Sequence, residues 1–212
     1  MEELIKRIFN NGVIPVIKID RAEDSLPLAG ALQRGGLPAA EITFRTAAAE
    51  EAIRLITDAY PDFLVAAGTV LTPKQADKAI AAGAAFLVSP GTNPTVVGHC
   101  VENGYLIVPG VCTPSEVEQA MSLGLRYLKF FPAEAAGGVK MIKAMAAPYV
   151  NIRFMPTGGI GVGNLADYLT CKAVFACGGS WMVPAELINA GKFDEIEALT
   201  REAVTRVKEI KQ

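Results

Sequence analysis

The feature that most narrows the fold is a repeat. Short runs of apolar, often β-branched residues alternate with amphipathic segments along nearly the whole chain. Strands are expected at 13–19, 39–44, 63–69, 85–89, 105–109, 127–131, 152–156 and 173–177. Helices are expected at 21–34, 47–59, 72–83, 94–103, 113–124, 138–145 and 162–169, with an N-terminal amphipathic helix from Met1 and a long helix over 193–210. The punctuation supports these bounds. Thr72-Pro73 and Thr113-Pro114 read as N-cap and first helical residue, and Gly35-Gly36, Gly83, Gly104 and Gly124 read as helix stops. Continuous apolar runs are the pattern of parallel strands buried on both faces, and their alternation with helices implies βαβ units. An open doubly wound sheet and a closed (β/α)8 barrel both satisfy this pattern. Eight units, with polar residues at the end of nearly every strand, favour a compact (β/α)8 TIM barrel. No linker or low-complexity tract divides the chain, so residues 1–212 are expected to form one α/β domain.

Composition then removes whole classes of function. Apolar residues make up 51% of the 212, ample for a core of this size. Lys plus Arg number 20 against 22 Asp plus Glu, so no basic surplus exists to neutralise phosphates, and nucleic acid is not an expected partner. The single His, His99, removes most metal-site and His-based triad chemistry. The N-terminal segment lacks the apolar stretch of a signal peptide. No apolar run approaches the ~20 residues that span a bilayer, so no membrane partner is expected. Cys100, Cys112, Cys171 and Cys177 have no CxxC spacing and read as reduced thiols of a cytoplasmic protein.

In barrels the chemistry sits where strands end. Glu41, Thr43 and Arg45 alternate with Ile42 and Phe44, so if the apolar pair faces the helices, both charges face the axis. Buried charges of this kind either pair with each other or serve a ligand. Lys129 lies among Leu128, Phe130 and Phe131. Apolar surroundings favour the neutral amine, which is a nucleophile toward carbonyls, although a lysine snorkelling to the rim fits the spacing equally well. Thr157-Gly158-Gly159 and Gly178-Gly179-Ser180 follow the last two strands, where barrels often hold a phosphate on backbone N–H groups. Thr69 could donate to a carboxylate, Lys18 could bind an anion or offer a second amine, and His99 and Trp181 read as packing residues.

Glu41-Ile42-Thr43-Phe44-Arg45-Thr46, Gly68-Thr69-Val70, Lys129-Phe130-Phe131-Pro132-Ala133-Glu134, Pro156-Thr157-Gly158-Gly159-Ile160 and Gly178-Gly179-Ser180-Trp181 occur in one order along the chain. Together they resemble the 2-keto-3-deoxy-6-phosphogluconate (KDPG) aldolase / 4-hydroxy-2-oxoglutarate (KHG) aldolase family. The resemblance implies a cofactor-free class I pyruvate aldolase on a (β/α)8 barrel, assembled as a homotrimer and acting on a small keto acid. It implies Lys129 as the Schiff-base lysine and Glu41 as general acid/base. Arg45 and Thr69 would hold the pyruvyl carboxylate, and Pro90 would line the pyruvate pocket. Thr157, Gly158, Gly159, Gly179 and Ser180 would form the phosphate loops, with Lys18 as a further substrate-binding candidate. Competing readings are a phosphate-binding isomerase or epimerase on the same barrel, a non-catalytic barrel that binds a phosphorylated sugar acid, and an aldolase whose main substrate is the galactonate-derived epimer.

Overall fold

Apolar side chains from both faces of the strands are removed from water: Ile14, Ile17, Ile42, Val65, Leu87, Leu128 and Phe154 are all buried. That two-sided burial requires a cover of helices, and the chain supplies one after nearly every strand. The computed structural model describes residues 2–212. The order is α1 (Glu2–Asn11), β1 (Val13–Ile17), a 3-10 turn (Ala22–Asp24), α2 (Ser25–Arg34), β2 (Ala39–Thr43), α3 (Ala49–Ala59), β3 (Leu64–Gly68), α4 (Pro73–Ala81), β4 (Phe86–Val88) and α5 (Pro94–Glu102). It continues with β5 (Ile107–Val108), β6 (Gly110–Val111), α6 (Pro114–Ser122), β7 (Tyr127–Phe130), α7 (Gly138–Ala146), β8 (Arg153–Pro156), α8 (Leu165–Leu169), β9 (Cys177–Gly179), α9 (Ala185–Asn189) and α10 (Phe193–Lys211). The expected N-terminal helix is α1, and Met1, part of that expectation, lies outside the described residues.

Every strand pairing is parallel. Six strands form a curled sheet in the order β5-β4-β3-β2-β1-β9, and three form a second ladder, β6-β7-β8. Two further parallel bridges, Phe154 to Val174 and Thr157 to Gly178, run from β8 and the residue after it to the last strand segment.

The helix starts are built as the sequence indicates. The Thr72 hydroxyl accepts from the Gln75 N–H at 3.2 Å. The Thr113 hydroxyl accepts from the Glu116 N–H, while the Glu116 carboxylate accepts from the Thr113 N–H at 2.8 Å, a reciprocal box that satisfies two orphan donors. Gly83 and Gly124, just past the helix ends, take the left-handed φ of +100° and +83° that a side chain resists.

Three expectations need correction. The strand expected at 105–109 is split: Ile107 and Val108 pair with β4, and Gly110 and Val111 pair with β7. Pro109 between them has no N–H to donate to a ladder. The last strand was expected at 173–177 with Gly178-Gly179 in the following loop, yet β9 is Cys177–Gly179, and both glycines pair with Ile14 and Pro15 of β1. Turn-like composition is overridden there by close approach: the Trp181 ring and the Thr157 side chain occupy the space where Cβ atoms of Gly179 and Gly178 would stand. The helix expected from residue 21 begins as the 3-10 turn and becomes α-helical at Ser25.

Helix α10 packs along α2, burying Ile196, Thr200, Ala203 and Val207. At its far end the Lys211 ammonium sits 4.4 Å from the Phe9 ring centroid and donates to the Phe9 carbonyl, tying the last helix to the first. The close crossing depends on Gly35, because a Cβ there would lie 2.6 Å from both Cβ and Cγ2 of Thr200. Gly35→Ala is therefore expected to destabilise the protein by about 1–3 kcal/mol through overpacking of this crossing. Urea denaturation of the variant beside the parent measures it, and an unchanged midpoint would refute the crossing as the constraint.

Candidate active site

Strand β2 delivers Glu41 to the interior, where its side chain is fully buried. Strand β7, in the other ladder, delivers Lys129, whose side chain is 7% exposed. Lys129 Nζ lies 3.5 Å from Glu41 Oε1 and 5.2 Å from the centroid of the Phe131 ring. The ammonium therefore has one carboxylate and one aromatic face as neighbours. The second carboxylate oxygen, Oε2, is buried with no hydrogen-bond partner. A buried carboxylate half satisfied in this way is an acceptor held ready for a proton or a ligand hydroxyl.

Glycines make the room for this pair. A Cβ on Gly68, in β3 beside Glu41, would overlap the carboxylate, with Glu41 Cγ at 2.7 Å and Cδ at 2.8 Å. A Cβ on Gly110, the β6 residue paired with Lys129, would collide with the Pro90 carbonyl. These glycines were not singled out as space-makers from the sequence. The signal was present, since a glycine inside a strand marks close approach of another group.

The remaining candidates fall in different places. Thr69, just past β3, holds the left-handed φ of +56°, the only non-glycine among the described residues to do so. For a β-branched residue that conformation is strained, and such strain is kept where a side chain must be aimed. Pro90 is half-buried, its loop anchored by the Thr92 hydroxyl donating to the Gly110 carbonyl at 2.9 Å. Thr157 is buried against Gly178 with its hydroxyl unpartnered, and the Trp181 indole N–H is likewise buried without an acceptor. Gly158 and Gly159 form a left-handed turn after β8, Gly179 is the last residue of β9, and Ser180 is exposed beyond it.

Arg45 does not share the interior with Glu41. Strand β2 stops at Thr43, and the exposed Arg45 returns its Nε to the Thr43 hydroxyl at 3.0 Å, so the cation facing Glu41 is Lys129 instead. Lys18 is exposed and paired with Asp20 at 2.7 Å. His99 bonds Asp77 on the surface at 2.7 Å.

Chemically, the arrangement offers an amine and a carboxylate within reach of one reacting centre, in a site lined by apolar and aromatic groups. Among the described residues no group of three or more His, Cys, Asp or Glu is placed to hold a metal ion. No helix among them is long and apolar enough to cross a membrane. Thr43, buried beside Glu41, donates to the Ile17 carbonyl at 2.8 Å and so ties the end of β2 to β1.

The buried pair also makes a stability prediction. Lys129→Met leaves the Glu41 carboxylate buried and unpaired, an expected loss of about 3–5 kcal/mol. Adding Glu41→Leu removes that orphan charge, and the double variant is expected to recover most of the loss. Chemical denaturation of both singles and the double measures the coupling. Additive effects would mean that the two groups do not interact.

The match to the aldolase family described as "KDPG and KHG aldolase" covers residues 4–199. The chain is 49% identical over 207 residues to the 2-dehydro-3-deoxy-phosphogluconate aldolase of Haemophilus influenzae, covering 98% of each chain. It is 52% identical over 192 residues to the protein of the same name from Treponema pallidum, covering 91% of each. Among solved structures it is similar to the KDPG aldolase of Legionella pneumophila, captured with pyruvate as a covalent carbinolamine intermediate. That likeness has a TM-score of 0.90 at 40% identity and covers 94% of this chain and 97% of the other.

Proposed function

The chain belongs to the KDPG and KHG aldolase family, the carbon–carbon lyases that work through a Schiff base, and on that footing we propose that Lys129 is its imine-forming lysine and Glu41 its general acid/base. The observation that carries the assignment is the buried amine 3.5 Å from a buried carboxylate with one unpartnered oxygen.

We read the two ladders as one closed (β/α)8 barrel formed by a single domain. In support, β5 and β6 are consecutive pieces of one strand interrupted at Pro109, joined to β4 on one side and β7 on the other. The Phe154–Val174 and Thr157–Gly178 bridges link the other edges. In that ring Glu41 and Lys129 come from different sides to the same axial space.

Glu41 takes a proton from the Lys129 ammonium, the freed amine attacks the C2 ketone to give a carbinolamine, and Glu41 returns the proton to the C2 hydroxyl, which leaves as water to give the protonated imine. The C3–C4 bond then breaks and its electron pair moves to C3, where the imine accepts it as an enamine. Glu41 takes the proton of the C4 hydroxyl as the aldehyde leaves. Protonation at C3 and hydrolysis return pyruvate and the free lysine. The imine is the electron sink, and it requires no metal. Arg45 and Thr69 hold the pyruvyl carboxylate, a charge-assisted contact that orients the imine. Pro90 lines the pyruvate pocket, and Thr157 opens the loop that takes the phosphate. The Gly158-Gly159 turn, Gly179 and Ser180 bind the phosphate of KDPG, so that the aldehyde product is glyceraldehyde 3-phosphate. Cleavage of 4-hydroxy-2-oxoglutarate to pyruvate and glyoxylate uses the same pair without the phosphate contacts. The enzyme acts in the cytoplasm as a homotrimer, as its family resemblance implies.

Two experiments test these roles. Borohydride reduction in the presence of pyruvate is expected to fix a pyruvyl adduct on the Lys129 peptide, and Lys129→Ala is expected to abolish both adduct and cleavage. An adduct on Lys18 would move the nucleophile. Ser180→Glu is expected to depress turnover of KDPG far more than that of 4-hydroxy-2-oxoglutarate, by like-charge repulsion of the phosphate. Equal losses would remove the phosphate from this loop.

A further inference from the structure

Glu134 closes the Lys129-Phe130-Phe131-Pro132-Ala133-Glu134 run yet has no part in the chemistry above. The residue is exposed overall, but its carboxylate accepts a hydrogen bond from the hydroxyl of Tyr168, whose ring is buried in α8. The same residue grips the Gly158-Gly159 turn. The Glu134 N–H donates to the Gly158 carbonyl at 3.1 Å, and the neighbouring Ala133 N–H donates to the Thr157 carbonyl at 2.8 Å. Glu134 Cβ and Cγ fill the space that a side chain on Gly159 would need, at 2.7 and 2.6 Å from the position of its Cβ. From the other side Asn164 donates its Nδ2 to the Gly159 carbonyl at 3.0 Å and accepts from the Gly161 N–H at 2.9 Å.

These contacts have a geometric consequence. A trans peptide is planar, with its C=O and N–H pointing in opposite directions. Fixing the carbonyls of Gly158 and Gly159 therefore fixes the directions of the Gly159 and Ile160 N–H groups. Neither N–H donates to a carbonyl or side chain among the described residues. The turn is held by its acceptors, and its donors are left for something else.

We propose that Glu134, locked by Tyr168, is a positioning residue that presets the Gly158-Gly159 turn for the phosphate of a phosphorylated keto acid. It does not touch the substrate. It acts by holding the turn's carbonyl side, with Asn164 as the second clamp. This rests on the phosphate reading of the turn given above. Tyr168 matters because Glu134 is otherwise a free surface carboxylate, able to swing toward an incoming phosphate and repel it. The tyrosine hydroxyl keeps that charge turned into α8.

The test compares a phosphorylated with an unphosphorylated ligand. In Glu134→Ala, which keeps the backbone bond to Gly158 but loses the Tyr168 bond and the Cγ packed under Gly159, and in Tyr168→Phe, which frees the carboxylate, KM for KDPG is expected to rise about tenfold, the scale of one hydrogen bond, with kcat little changed. The yield of the borohydride-trapped pyruvate adduct is expected to stay within about twofold of the parent, because that ligand carries no phosphate. Glu134→Gln keeps the acceptor oxygen and is expected to restore most of the KM. Inorganic phosphate, as a competitive inhibitor of the parent, and Ser180→Glu report on the phosphate reading separately. If both discriminate as expected but the Glu134 and Tyr168 variants lose KDPG turnover and pyruvate trapping in parallel, the brace is only structural and the proposal falls. If phosphate does not inhibit and Ser180→Glu is indifferent to the phosphorylated substrate, the phosphate reading falls and takes the proposal with it.

Discussion

A lysine and a glutamate meeting among buried hydrocarbon is the contact on which the rest of the molecule depends. Neither charge could be kept away from water alone at tolerable cost, and each is the other's reason for being there. The surrounding choices follow from that. Gly68 leaves room for the carboxylate, Gly110 lets the Pro90 loop close over the strand end, and Gly178 accommodates Thr157. Branched side chains at these few strand positions would collide with the groups that now lie against them, so the small residues are what admit polar groups to the core.

The repeat of strand and helix was legible from sequence because its causes are local. Periodicity, Thr-Pro starts and glycine stops are read within a few residues, and helices α4, α5 and α6 begin at Pro73, Pro94 and Pro114 as the punctuation indicates. What was not legible depended on distant parts of the chain. The glycines of β9 look like a turn until Ile14 and Pro15 are brought beside them. The strand at Pro109 looks continuous until its two halves are seen to pair with different neighbours. Helix α9 was not expected, because its five residues lie between Pro184 and Gly191, a setting that reads as a loop.

The site divides in the same way. Lys129 and Glu41 announced themselves as charges among apolar neighbours, which is a local anomaly. Their pairing did not, because alternation along β2 suggested Arg45 as the partner, and only the structure shows that β2 ends at Thr43, with the exposed Arg45 bonded to the Thr43 hydroxyl. The family motifs named Glu134 without giving it work to do, since its partner Tyr168 and the turn it grips lie far along the chain. Residues that hold other residues are the ones a sequence conceals.

The interruption at Pro109 places β2 and β7 in separate ladders, so Glu41 and Lys129 sit on opposite banks of a seam. Each ladder can keep its own hydrogen bonds if the seam parts, and each keeps its covering helices. A partly opened molecule would thus retain most of its amide protection and helical signal while the amine and the carboxylate had already separated. The Glu41–Lys129 contact would then report how the two ladders meet more directly than helical content does.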